Sequence, residues 1–133
     1  MTITESPLPG LLIIEPKVFE DSRGYFFESF NRKNLMDAGI GVQFVQDNQS
    51  LSQFGVLRGL HYQLAPYSQS KLVRVLQGSV WDVAVDIRKK SPTFGHFFGI
   101  ELRDSGGASD ALGVSRGEKV PDVARGFCLA KRG

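Results

Sequence analysis

The feature that most constrains the fold is a rhythm of short β-forming runs cut by turn residues. Leu11–Phe19, Tyr25–Phe30, Phe44–Gln49, Val56–Gln63, Leu72–Leu76, Val80–Arg88 and Thr93–Leu102 are each rich in apolar or aromatic β-formers. Between them stand Asp21-Ser22-Arg23-Gly24, Ala65-Pro66-Tyr67-Ser68, Gly78 and Lys89-Lys90-Ser91-Pro92. Such spacing points to an all-β chain, an antiparallel sandwich or β-barrel. Pro16 inside the first run marks an edge position or a bend. One helix is expected at 31–38, capped by Asn31 and ended by Gly39. With 133 residues, the chain is long enough for one domain with its own core.

Charge and composition exclude several classes. A net charge of +2 is too weak to argue for nucleic acid or an anionic membrane. No apolar stretch approaches the length of a membrane span. The one cysteine, Cys128, cannot form an internal disulfide and fits a reducing compartment. The first residues show neither a basic n-region nor an apolar h-region, so the expected address is the cytoplasm. His61 and His96 are the only histidines and no Cys-x-x-Cys occurs, so no metal site is expected. No phosphate-binding or dinucleotide-binding glycine pattern appears either.

The chemistry-bearing stretch is Val56–Val75. His61 is a titratable imidazole with Arg58 three residues before it and Lys71 ten after. An imidazole of ordinary basicity accepts a proton near neutral pH, and fixed cations stabilise the anion left behind. Strict alternation would put residues 58 and 61 on opposite faces of a flat strand. Gly59 offers a β-bulge that turns both to one side, so an irregularity is expected at Arg58–Leu60. In Val80–Arg88, Trp81, Val83, Val85 and Ile87 share one face and Asp82, Ala84 and Asp86 the other. Two aspartates on a face ordinarily mean solvent. Should that face line an interior, Asp82 is the carboxylate available to pair with His61. The ordinary reading of Lys71, Arg74, Arg23 and Glu28 is solvated surface charge. The triplet Gln46-Asp47-Asn48 sits between apolar residues and needs hydrogen-bond partners if buried.

Several long motifs in series carry a resemblance. They are Phe19-Glu-Asp-Ser-Arg-Gly-Tyr-Phe-Phe-Glu28, Phe44-Val-Gln-Asp-Asn-Gln-Ser50, Val56-Leu-Arg-Gly-Leu-His-Tyr-Gln63, Lys71-Leu-Val-Arg74, Gly78–Arg88 and Ser91-Pro-Thr-Phe-Gly95. From about Pro7 to Leu102 the chain resembles dTDP-4-dehydrorhamnose 3,5-epimerases, which are cupin-like jelly rolls. The resemblance implies epimerisation, without a cofactor, at C3 and C5 of a dTDP-linked 4-keto-6-deoxyhexose. It implies His61 as base and Lys71 as the group that holds enolate or substrate. It implies that Arg58, Gln46, Asp47 and Asn48 contact the nucleotide diphosphate and its neighbours. Arg23 and Glu28 would reach the nucleotide on the other subunit of a homodimer. The other reading is a non-catalytic jelly-roll module that binds a sugar nucleotide or carbohydrate.

Beyond Leu102 the family pattern is not found in register. Its Gly-Phe-Ala-His-Gly-Phe segment, a later tyrosine acid and an aspartate partner for the histidine are missing, with no histidine after His96 and no tyrosine after Tyr67. The expectation is therefore a cupin-like domain over 1–102 and an aberrant or disordered tail over 103–133. With no sequence for the closing strands, the jelly roll would be incomplete at its C-terminal side. A one-base shift in one possible coding of Ala108–Val114 gives Gln-Ala-Met-Leu-Trp-Val, near the expected family segment, which points to a change of frame after Leu102.

Overall fold

A computed structural model describes residues 1–104 and the backbone of 114–115 and 123–131. Its strands are antiparallel and fall into three sheets. In the first sheet, β1 (Thr2–Glu5) pairs with β2 (Leu11–Glu15), and β2 pairs with β8 (Val114–Ser115). The turn between β1 and β2 is closed by Ser6, whose N–H donates to the Leu11 carbonyl at 3.0 Å. The Leu8 N–H donates to the Ser6 hydroxyl at 3.1 Å, so this buried turn keeps its polar atoms bonded.

The second sheet is a hairpin of β3 (Phe19–Asp21) and β4 (Gly24–Phe26). Pro16 ends the first strand run, as its missing N–H requires, and Gly24 takes φ +131° in the turn. The third sheet holds β5 (Leu57–His61), β6 (Ser79–Asp86), β7 (Phe97–Arg103) and β9 (Val123–Lys131) in the order β5-β9-β6-β7. The helix α1 runs Arg32–Asp37, with Asn31 as N-cap. The Asn34 N–H donates to the Asn31 side-chain oxygen at 3.1 Å.

The core sits around β2, which is apolar on both sides. Leu12 and Ile14 pack with Leu35 of α1 and with Ile40, flanked by Ile3, Val42, Phe44 and Leu72. On the other side, Leu8 and Leu11 pack against Ala84 of β6, with Phe98 of β7 beside them. Thus the face of β6 carrying residue 84 is the inward face.

Several expectations need correction. Residues 44–49 and 72–76 form no strand; their apolar side chains Phe44 and Leu72 serve the core from irregular segments. Propensity alone cannot supply a pairing partner. The strand at Thr2–Glu5 was not foreseen, because Thr-Ile-Thr-Glu is too short and polar to stand out without β2 beside it. Most important, the expected tail does contain strand. Residues 123–131 form β9, inserted between β5 and β6, and residues 114–115 pair with β2. The expectation that no sequence remained for closing strands is therefore wrong for these segments. Ala108–Gly113, most of the stretch behind the frame-shift idea, lies outside the described residues.

Candidate active site

Arg58 and His61 reach one face of the sheet through an irregular strand. Arg58 stands opposite Phe127 and His61 opposite Arg125, with a register shift between them. Two residues of β5 therefore oppose one residue of β9, which is the signature of a bulge. Positions 125 and 127 share a face of β9, so positions 58 and 61 share that face too. Gly59 lies at the bulge with φ +132°, where a side chain would be strained. The expected irregularity at Arg58–Leu60 is present.

The same register carries across to β6. Phe127 is opposite Asp82 and Arg125 opposite Ala84. Arg58 is thus level with Asp82, and His61 level with Ala84, on one face of the sheet. Asp82 is 5% exposed, Ala84 3% and Asp86 fully buried, whereas Trp81 is 41% exposed. The default reading of the aspartate face as solvent-facing is corrected. Sheet packing, which alternation alone cannot choose, turns it inward. The register sets Asp82 two strand spacings from His61, about 10 Å, and offset by one row along the strands.

Asp86 has a different task. It accepts from Arg88 Nε and Nη2 at 2.7 and 2.6 Å, from Ser91 Oγ at 2.5 Å and from Thr93 Oγ1 at 2.6 Å. Burial on its own would raise the carboxyl pKa, but these hydrogen bonds outweigh it and hold the group well below the usual carboxylate range. The backbone of Asp86 also bonds His96 and Gly95, so the residue ties down the whole β6–β7 turn.

The other expected site residues are exposed. His61 and Lys71 are both open to solvent, and among the described residues no hydrogen bond or ion pair joins them. Lys71 is exposed on an irregular segment beside Leu72, which packs against the core. The cover provided by Leu8 and Leu11 meets β6 and β7, while β5 lies at the far edge of the sheet with all five residues exposed. Gln46 donates to Asn48 at 3.2 Å, and Asp47 is exposed beside them. Arg23 is engaged by Asp21 on the hairpin, through Nη2 at 2.6 Å and through Nε. That hydrogen bond lowers the Asp21 pKa and raises that of Arg23. Glu28 accepts from Asn34 Nδ2 at 2.8 Å and Asn31 Nδ2 at 3.0 Å. Sequence reading named Asn31 only as a helix cap, and it did not name Asn34 or Ser52, which bonds Arg58. Polar residues at i+3 and i+6 from Glu28 were the available signal for the first two.

Comparison with known proteins decides the lineage. A family model described as dTDP-4-dehydrorhamnose 3,5-epimerase matches residues 5–131. The chain belongs to the dTDP-4-dehydrorhamnose 3,5-epimerase family. The match passes beyond Leu102, where the motifs had been lost. A Shigella flexneri protein of the same description is 53% identical over 130 residues, covering 97% of this chain and 68% of the relative. The chain spans only 50–56% of the length of several further curated relatives. Two solved structures of the epimerase family superpose closely. A Bacillus anthracis member with TDP and PPi bound gives a TM-score of 0.87 at 37% identity, covering 98% of this chain and 71% of that one. A Legionella pneumophila member in complex with dTDP-4-keto-L-rhamnose gives 0.85 at 46% identity, covering 98% and 66%. The strand-dominated chain thus has the cupin-like jelly-roll fold of the epimerase family. Among the described residues no helix is long and apolar enough to cross a membrane.

Proposed function

We propose that this chain carries the C3 and C5 epimerisation of dTDP-4-dehydro-6-deoxy-D-glucose in dTDP-L-rhamnose biosynthesis, without a cofactor. The observation that supports the reading is the register shift that brings positions 58 and 61 to one face of the sheet within a family member. Protons at C3 and C5 are acidified by the C4 ketone. His61 takes one; the C–H electron pair becomes the enolate π bond and charge collects on the C4 oxygen. Lys71 stabilises that charge, and return of a proton on the opposite face inverts the carbon. Arg58 and the Gln46, Asp47, Asn48 run contact the diphosphate and adjoining sugar. Arg23 and Glu28 reach the nucleotide bound to the partner in a homodimer. The setting is cytoplasmic.

The test is deuterium incorporation at C3 and C5 of the keto sugar nucleotide in D₂O. Incorporation that disappears in His61→Ala supports the enzyme; incorporation that persists in that variant rules out His61 as the base. A second reading, a non-catalytic module binding the sugar nucleotide, is favoured by the exposure of both His61 and Lys71. Binding of dTDP with no incorporation at either carbon selects that reading.

A further inference from the structure

Arginine carries a long stem with many rotamers, so an exposed arginine on an edge strand holds no single aim unless its donors are taken. Arg58 is such a residue, and its donors are taken. Its Nε donates to Ser52 Oγ at 2.9 Å, and its Nη2 donates to the Leu51 carbonyl at 3.4 Å. These two groups form the side edge of the guanidinium. The end edge, Nη1 with the second Nη2 hydrogen, is left pointing away from residues 51 and 52. Two parallel N–H groups on one edge are what a phosphate accepts.

The chain geometry behind this contact is local. Val56 N–H donates to the Gln53 carbonyl at 3.3 Å, and Gly55 takes φ +81°. This turn folds residues 51–52 back alongside the start of β5. Ser52 is half-buried while Arg58 is exposed, so the hydroxyl is the fixed partner and the guanidinium the one being aimed.

We infer that Ser52 is a positioning residue for Arg58: it holds the side edge of the guanidinium so that the end edge meets the diphosphate of a nucleotide ligand. The inference rests on the proposed role of Arg58 as a diphosphate contact. It adds a residue that no motif singled out, and it explains why an exposed arginine can bind without a large ordering cost.

Calorimetric titration of the full chain with dTDP, and with thymidine as a ligand lacking phosphate, tests it. Ser52→Ala weakens dTDP binding about fivefold, the cost of ordering a guanidinium that is no longer held, leaves thymidine binding unchanged and does not move the thermal midpoint. Ser52→Thr, which keeps a hydroxyl, retains the wild-type affinity. In the Arg58→Ala background the Ser52→Ala change has no further effect, because its target is gone. The inference is overturned if Ser52→Ala leaves dTDP affinity intact while Arg58→Ala weakens it, or if the Ser52→Ala loss persists without Arg58. If Arg58→Ala itself leaves dTDP affinity unchanged, the underlying reading of Arg58 fails, and that outcome is distinct from the first two.

Discussion

Asp86 accepts side-chain bonds from Arg88, Ser91 and Thr93 on a carboxylate with no exposed surface. Removing one partner of such a pair leaves the other uncompensated. Asp86→Asn is expected to cost about 3 kcal/mol, read as a shift in the urea midpoint. The pH sign follows from the depressed folded pKa. The carboxylate contributes fully above its unfolded value of about 3.9 and loses that contribution as pH falls below it. The gap in stability between wild type and Asp86→Asn therefore narrows below about pH 4; a gap independent of pH contradicts the assignment. At the start of α1, Asn31 both caps the helix and donates to Glu28. Asn31→Ala is expected to cost about 1 kcal/mol by the same measurement.

At the scale of elements, two glycines set how strands of the third sheet fit. Gly59 lets β5 bulge, with φ +132°. Gly59→Val places a β-branched residue where only glycine is unstrained, at a cost of about 1–3 kcal/mol. It also returns Arg58 and His61 toward opposite faces, so stability and dTDP affinity should fall together. Loss of stability with full dTDP affinity would show that the bulge does not serve the site. Gly99 of β7 lies under Trp81 of β6. A Cβ there would meet the indole Cζ2 at 2.8 Å. Trp81 is the only tryptophan, so intrinsic fluorescence reports on it directly. Gly99→Ala is expected to displace the ring and change its emission maximum; an unchanged spectrum would mean the ring is not seated over β7.

For the molecule as a whole, two facts stand side by side. The core around Leu12 and Ile14 is well buried, yet Val45, Leu51, Phe54, Leu57 and Tyr67 are 63–88% exposed. Exposed apolar side chains of this size are the kind that a protein partner covers. The proposed homodimer is the matching partner, and sedimentation velocity is expected to show a dimer at micromolar concentration. A monodisperse monomer would assign that surface elsewhere.

Much of this was legible in the chain itself. Turn residues at regular intervals gave the all-β class, Asn31 and Gly39 bracketed the helix, and Gly59 announced the break in β5, because caps, turns and bulges are set by backbone preferences of single residues. Alternation likewise separated Asp82, Ala84 and Asp86 from Trp81, Val83 and Val85. What it could not say is which set faces inward, since a period of two is symmetric between faces. That was decided by Leu8 and Leu11 packing on Ala84. Nor could local pattern find β9, whose residues 123–131 become strand by lying between β5 and β6, partners 37 to 71 positions away along the chain. Pairing over such distances is a property of the assembled sheet, and it alone brings positions 58, 61 and 82 to one side.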